Sequence, residues 1–331
     1  MWMAGARDKY RIEQGGCFSM LLGLFFYGWT VQVTAAGAFN GFDISNALIP
    51  TTEIYPGGPP RDGIPAIDRP KFVPAAQADF LADDDRVLGL NRNGIQRAYP
   101  IKILNYHEII NDRIGDESLL ISYCPLCGTG MAFLATLKGK AHSFGVSGLL
   151  YNSDVLFYDR ETESLWSQIK KQAVSGPMRG TGLQQIVMAH TNWNDWRRRH
   201  PNTQVLSLQT GYKRNYNRSP YSGYEKSTQT YFPVPTTDRR YHLKEQVIGL
   251  SLDGVDKAYP FVELLKTKGA IRDRVGDHVL TIEFDSVNRT GRVLDASGEV
   301  VPTTIAYWFA WVAFHPQTDV YKLKSELLLT D

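Results

Sequence analysis

The sequence predicts an α+β fold in which one unit, a β-hairpin followed by a helix and further strands, occurs twice. An internal repeat is the first observation, because ordered short matches within residues 87–123 recur within residues 247–284. The second observation lies inside each match, where two runs of strand-forming residues flank Asn-Gly or Asp-Gly. An apolar segment that opens with proline follows each hairpin, and it predicts the helix.

The repeat matches keep one order in both copies. The paired segments are 87–90 with 247–250, 98–100 with 258–260, 112–116 with 273–277, 119–123 with 280–284, and 200–203 with 315–318. We therefore expect a first repeat over residues 86–206 and a second over residues 246–331.

The elements of each copy follow from local signals. The hairpins turn at Gly94 and Gly254, since Asn-Gly and Asp-Gly supply the positive φ that primed turns require. The helices begin after Pro100 and Pro260, because proline is tolerated in a first turn. The apolar positions of the first helix are Ile101, Ile103, Leu104 and Ile110. A further strand follows, and each copy closes with a Trp-rich segment, for which Thr191 is the expected N-cap in the first copy.

The two copies differ between the last matched strand and the closing segment. The first copy has a long insertion, residues 124–186, whereas the second spans the interval with residues 285–302. Alternating apolar residues in the insertion, among them Val155, Phe157 and Leu165, predict a β-rich structure. A function that resides in one copy is expected in the longer one.

The segments outside the repeats have compositions of their own. Residues 1–38 have the layout of a signal peptide or N-terminal anchor, with basic residues, an apolar run and small residues before an expected cleavage after Ala38. Residues 39–85 are a Gly- and Pro-rich strap, expected to be irregular, and residues 207–245 are a Tyr- and Arg-rich connecting loop. We expect an exported protein, periplasmic or extracytoplasmic, that meets a membrane only through an uncleaved N-terminal segment.

Composition restricts the partners. A formal net charge of +2 and interspersed charges of both signs favour neither nucleic acid nor an anionic membrane surface. A small molecule or a protein of the cell envelope remains as the expected partner. Removal of the signal leaves Cys124 and Cys127, so in an oxidising compartment their partners are each other, a metal or a small thiol.

The run Cys-Pro-Leu-Cys-Gly at residues 124–128 is the most specific chemical signal. A predicted strand enters it and another leaves it, so both cysteines are expected at the end of a hairpin. The run resembles one knuckle of a rubredoxin or zinc-ribbon site, which predicts one transition metal ion, copper, zinc or iron, and no other cofactor. Two alternatives stay open. One is a thiol–disulfide oxidoreductase, although Gly128 and Gly130 would start a helix poorly, and the other is a structural envelope protein with an inert disulfide.

A metal at a single knuckle needs further ligands. His107 is the candidate third ligand, because its predicted helix precedes the knuckle strand and the equivalent residues 262–269 of the second copy contain no histidine. Glu108, His142, Asp154 or water would fill the fourth position. A lone histidine on a helix is also compatible with a surface or core role.

Further candidates line a possible cleft. Asp154 and Asp159 would act as acid or base and Arg160 as an anion clamp, although an Asp-Arg pair is also a common surface ion pair. Ser147 lacks the Gly-x-Ser-x-Gly frame of a nucleophile elbow. Tyrosines and basic residues at 211–231 either stack on a ligand or pack over the two halves.

At these positions the chain resembles the bacterial and archaeal family catalogued as domain of unknown function 3179. The likeness is carried by residues 42–43, 46, 58–67, 106–109, 123–129, 144–168 and 210–224, and it spans nearly all of the chain after the signal. Tyr106 stands where tryptophan is more usual in the family. The resemblance implies an exported or membrane-anchored protein, and it transfers no activity, substrate or cofactor.

Overall fold

Strands contain 41% and helices 11% of the residues that the computed structural model describes, which are 38–235 and 238–323. Five sheets of four or five strands form a five-bladed β-propeller arrangement. The α+β prediction is therefore wrong, since the fold is mostly β. The predicted signal peptide or anchor lies outside the described residues except for Ala38. None of the helices within the described ranges is long and apolar enough to cross a membrane.

The elements are numbered in chain order. The strands before residue 143 are β1 (Ala38–Phe39), β2 (Phe42–Asp43), β3 (Ile54–Pro56), β4 (Phe72–Pro74), β5 (Arg86–Arg92), β6 (Ile95–Pro100), β7 (Ile109–Ile114), β8 (Glu117–Cys124), β9 (Thr129–Leu134), β10 (Thr136–Leu137) and β11 (Lys140–Ala141). The strands of residues 144–206 are β12 (Phe144–Tyr151), β13 (Asp154–Asp159), β14 (Leu165–Ser167), β15 (Gln172–Ser175), β16 (Gln185–Ile186), β17 (Ala189–Asn192) and β18 (Gln204–Leu206). The remaining strands are β19 (Gln246–Leu252), β20 (Val255–Pro260), β21 (Ile271–Val275), β22 (His278–Asp285), β23 (Thr290–Leu294), β24 (Val300–Val301), β25 (Thr304–Tyr307) and β26 (Asp319–Val320). The α-helices are α1 (Ile101–Leu104), α2 (Trp193–Arg199), α3 (Phe261–Leu264) and α4 (Trp308–Phe314), and the 3₁₀ turns are Thr51–Glu53, Ala75–Gln77 and Tyr224–Lys226.

Each copy of the repeat contributes two blades. In the first copy the strand orders are β17-β5-β6-β18-β4 and β16-β9-β8-β7. In the second copy they are β25-β19-β20-β26 and β24-β23-β22-β21, so each strand of the second copy has a counterpart with the same neighbours in the first. The hairpins predicted at Gly94 and Gly254 are confirmed, because β5 pairs with β6 and β19 pairs with β20 around those turns.

The fifth blade comes from the insertion of the first copy. Strands β12 to β15 pair in sequence, and β3 pairs with the outer edge of β12. The strap, which we expected to be irregular, thus supplies edge strands to two blades, because β4 also pairs with β18. The blade without a counterpart is built from the segment by which the two copies differ.

The predicted helix after Pro100 is a single turn. It ends at Leu104, and Ile110, which the prediction placed in the helix, lies in β7. The chain changes direction at Glu108, whose φ of 56° lies outside the right-handed helical region. The isoleucines that follow are β-branched and pack better on a sheet than on a helix.

Equivalent tryptophans hold the closing helices of the two copies against their sheets. Trp196 of α2 covers Gly89, and Trp311 of α4 covers Gly249, so closely that an added Cβ would lie 2.3 Å and 2.2 Å from the rings. Each indole N–H donates to the threonine of the following His-Pro-x-Thr segment. The cap of α2 is Asn192, one residue after the predicted Thr191, because the Asn192 side chain accepts from the N–H of residue 195.

Candidate metal centre

The Cys-Pro-Leu-Cys-Gly turn connects β8 to β9, so the predicted hairpin is confirmed. Cys124 is the last residue of β8 and pairs with Thr129, the first residue of β9. Gly128 has a φ of 61°, and the Tyr307 ring lies 2.9 Å from where a Cβ would be, so this position requires glycine. Cys124 and Cys127 are free thiols and are at most 1% exposed.

A second hairpin, between β12 and β13, points its tip at the two sulfurs. The turn residues Asn152 and Ser153 have φ values of 53° and 61°, which is the geometry of a type I′ turn. The Ser153 carbonyl accepts from the Cys127 thiol at 3.3 Å and lies 3.7 Å from the Cys124 sulfur. The turn side chains donate to the carbonyls of Ala313 and Phe232, which hold the tip in place.

Asp154 directly follows this turn and supplies a third donor. One of its carboxylate oxygens and the two sulfurs lie within 4.8 Å of one another. The side chain is fully buried, Oδ2 accepts from the Ile169 N–H at 3.1 Å, and the carboxylate interacts with both thiols, whereas Oδ1 has no hydrogen bond of normal geometry. A buried carboxylate oxygen without a partner is costly unless a proton or a cation satisfies it. Burial accordingly raises the pKa of Asp154 to about 7.

Burial has the same effect on both thiols. Burial raises the pKa of the Cys124 thiol. The pKa of the Cys127 thiol is raised further, because the neighbouring Cys124 sulfur adds to the effect of burial. The metal-free site therefore holds its two thiols in the protonated form at neutral pH. A metal ion would displace these protons, since the thiolate and the carboxylate are the ligating forms.

His107 lies outside this group of three donors. Its Nδ1 donates to the Pro65 carbonyl at 2.8 Å, and its Nε2 accepts from the Tyr216 hydroxyl at 2.7 Å. The Tyr216 hydroxyl also lies 2.6 Å from the Thr210 hydroxyl. Both ring nitrogens are therefore engaged with the strap and the connecting loop, and the structure does not bring His107 together with the cysteines.

The neighbours of His107 hold the same loop. The Tyr106 hydroxyl donates to the backbone carbonyls of residues 215 and 218. Glu108 is buried, and its carboxylate interacts with the Tyr221 hydroxyl and with the charge of Asp154. Burial raises the pKa of Glu108 to about 8. We call residues 106–108 the latch, since all three bind residues of the connecting loop.

The connecting loop carries two residues that line the site: Tyr224, which lies in the segment 211–231 that was expected either to stack on a ligand or to pack over the two halves, and Lys244, which was not predicted. Tyr224 is 2% exposed, packs in one apolar cluster with both cysteines, and has a hydroxyl without a hydrogen-bond partner. Lys244 is 5% exposed, and its ammonium nitrogen lies 4.0 Å from the centre of the Tyr224 ring. Interleaved tyrosines and basic residues signalled a ligand role only for residues 211–231, and no local pattern marks Lys244.

The remaining predicted residues form a separate cluster in the fifth blade. His142 Nδ1 lies 3.2 Å from Asp159 Oδ1 and 3.6 Å from Glu161 Oε2. Both Asp159 oxygens are already bound, by the backbone and hydroxyl of Thr162 and by an indole N–H. Arg160 pairs with Asp68 of the strap at 2.7 Å, on the surface. One donor atom each of His142, Asp159 and Glu161 lie within 4.8 Å of one another, so these residues form a second group that could hold a metal ion, although hydrogen bonds already engage both Asp159 oxygens.

Comparison with known proteins identifies a family and no activity. Residues 61–318 match the family described as protein of unknown function (DUF3179). No curated protein and no solved structure is significantly similar to the chain. The matched range contains the latch, both cysteines, Asp154, Tyr224 and Lys244. Since the match covers most of the sequence, the chain belongs to the DUF3179 family.

Proposed function

We propose that this protein binds one divalent transition metal ion through Cys124, Cys127 and Asp154. The observation that carries the proposal is the fully buried Asp154 carboxylate, one oxygen of which lies within 4.8 Å of two free thiols. Each of these groups is unfavourable in the core when it is charged and alone, and one cation would satisfy all three.

The donor set favours zinc, with iron(II) as the next choice. Thiolates bind zinc, copper(I) and iron, whereas a carboxylate is a hard ligand that suits copper(I) poorly. Zinc accepts two sulfurs and one carboxylate oxygen in a tetrahedral site, and three protein ligands leave one position for water or a small molecule. An open position of this kind is typical of a site that binds or converts a small ligand.

Two physical arguments count against the alternatives. A thiol–disulfide oxidoreductase needs an accessible thiolate, but both thiols are buried with raised pKa values and follow a strand, not a helix N-terminus. An inert disulfide needs no carboxylate beside it, whereas an oxygen of the fully buried Asp154 carboxylate lies within 4.8 Å of both sulfurs.

The proposed setting is outside the cytoplasm. The support is the signal-like layout of residues 1–38, which lies upstream of the metal centre. In that setting the protein would meet a small molecule or an envelope protein as its partner.

The test is metal content after purification under reducing conditions. We expect close to one zinc or iron per chain by elemental analysis, and a large loss of metal in Cys124→Ser, Cys127→Ser and Asp154→Asn. Asp195→Asn is the matched control, because Asp195 is also buried and belongs to neither group of possible metal ligands among the described residues. Metal-free wild-type protein that also fails to take up zinc, iron or copper after reduction would contradict the proposal.

A further inference from the structure

Lys244 is a buried cation without an anionic partner among the described residues. Its side chain is 5% exposed, and its Nζ donates to the Gln229 carbonyl at 2.8 Å. The same nitrogen lies over the rings of Tyr224 at 4.0 Å and Phe309 at 5.3 Å. No carboxylate of residues 38–235 or 238–323 forms an ion pair with it. Burying an unpaired ammonium is expensive, so its position needs a reason.

The metal centre supplies that reason. Tyr224 and Phe309, which contact the Lys244 ammonium, belong to the same packed cluster as Cys124 and Cys127. The ammonium also interacts electrostatically with the Cys127 sulfur. A thiolate at Cys127 would therefore be the nearest negative charge that Lys244 meets in the core.

The formal charges of the three metal ligands and of Lys244 can be added together. Two thiolates and one carboxylate carry −3, and Lys244 carries +1, which leaves −2 in a site whose three protein ligands are all buried. A divalent ion makes this sum zero, whereas a monovalent ion leaves −1 and a trivalent ion leaves +1. Uncompensated charge in an apolar interior is strongly unfavourable, so neutrality selects among metals of similar ligand preference. The count is made for the protonated Glu108 carboxyl, which is the form that burial favours.

We propose that Lys244 determines the charge of the metal ion that this site accepts, and that it restricts the site to divalent ions. The inference rests on the proposed metal centre and adds a specificity-determining residue to it. Lys244 does not ligate the metal. It compensates the excess negative charge of the three ligands.

Binding of Zn²⁺ and Ga³⁺ to reduced, metal-free protein tests the assignment. We expect Lys244→Met to weaken Zn²⁺ binding roughly 10- to 100-fold, as is usual for residues that support metal ligands. The affinity of the variant for Ga³⁺, supplied as its nitrilotriacetate complex, should fall less or rise. The ratio of the dissociation constants for Zn²⁺ and Ga³⁺ should therefore shift by about tenfold or more. Lys244→Arg keeps the charge and should restore most of the Zn²⁺ preference.

A stability measurement separates charge compensation from a merely structural role. In the metal-free protein, Lys244→Met removes a buried unpaired charge and should leave the urea midpoint unchanged or raise it, while metal affinity falls. Lys257→Met, in the second copy, is the control and should leave both dissociation constants unchanged.

The outcomes distinguish the two proposals. If wild-type protein binds neither Zn²⁺ nor Co²⁺, the metal centre itself is wrong. If wild-type protein binds Zn²⁺, and Lys244→Met binds Zn²⁺ and Ga³⁺ with unchanged dissociation constants, the metal centre stands and the role of Lys244 is overturned. That role is also overturned if Lys244→Met lowers the stability of the metal-free protein and the affinities for both ions to the same extent.

Discussion

The contribution of Asp154 to the free energy of unfolding changes with pH in opposite directions with and without a bound metal ion. Without metal, the carboxyl keeps its proton up to a pKa of about 7, whereas the unfolded chain releases it near the ordinary value of 3.8. The folded state then binds more protons than the unfolded state, so the free energy of unfolding decreases as pH rises through this window. With metal bound, the ionised carboxylate is the favoured form, and the pH dependence reverses.

Asp154→Asn should therefore remove a pH-dependent cost from the metal-free protein. We expect the free energy of unfolding of this variant, relative to wild type, to increase between pH 5 and pH 8 by at most about 3 kcal/mol, since about two pKa units of the shift fall in this range and one pKa unit corresponds to about 1.4 kcal/mol. Urea denaturation in the presence of a chelator measures the difference. Parallel pH profiles for the two proteins would mean that Asp154 ionises normally in the fold.

At the scale of elements, the latch binds the connecting loop, and the loop packs against the metal centre. Tyr106, His107 and Glu108 each bind the loop, and the loop brings Tyr224 into the cluster that contains both cysteines. The second copy has no histidine at the equivalent stretch and no cysteines in its equivalent turn. The second copy lacks the histidine and the cysteines together, and this pointed to His107 as a ligand. The role of His107 in holding the loop accounts for the same observation.

His107→Phe should keep its metal and loosen the loop. The buried hydrogen bond between His107 and the Tyr216 hydroxyl of the loop is lost, at about 1 kcal/mol, so the open form of the loop should become about fivefold more populated. Faster tryptic cleavage after Lys213, Arg214 or Arg218 would report the opening, with metal content measured on the same sample. His142→Phe, a change in the fifth blade, is the control and should leave the cleavage rate unchanged. Loss of metal with an unchanged cleavage rate would restore His107 as a ligand.

Some of these elements could be predicted from the sequence, and others could not. Asn-Gly and Asp-Gly predicted both hairpins because the turn geometry is local. The helix after Pro100 was predicted to be too long, because Ile110 fits a helical pattern and a strand equally well. Packing on the sheet places Ile110 in a strand. The cysteines were found through their spacing, whereas Tyr224 and Lys244 reach the site only through tertiary folding of a loop.

At the scale of the whole molecule, duplication explains four of the five blades. Both copies place a tryptophan from the closing helix on a glycine of the central strand, with nearly identical clearances. The inserted blade then supplies the hairpin tip with Ser153 and Asp154, which the second copy lacks. The candidate metal centre therefore belongs to the first copy and its inserted blade, and the second copy has only the shared scaffold.

Gly89→Ala and Gly249→Ala should destabilise the protein by similar amounts. Each added methyl group would overlap an indole ring, at 2.3 Å and 2.2 Å, and overpacking of this kind costs about 1–3 kcal/mol. Chemical denaturation of the two variants gives the comparison. Gly182→Ala, whose nearest neighbour would be 3.9 Å away, should change stability by a few tenths of a kcal/mol. A large difference between the first two variants would show that the copies no longer share one packing scheme.

The position of Tyr307 behind Gly128 has a kinetic consequence. The Tyr307 N–H donates to the Cys127 carbonyl at 2.8 Å, so a strand near the end of the described chain holds a turn from its first half. Contacts between such distant segments form late in folding, because a long loop must close before they are made. Interactions that form after the transition state change the unfolding rate and leave the folding rate nearly unaltered. We therefore expect loss of the contact between Tyr307 and Cys127 to speed unfolding and to leave the folding rate nearly unaltered.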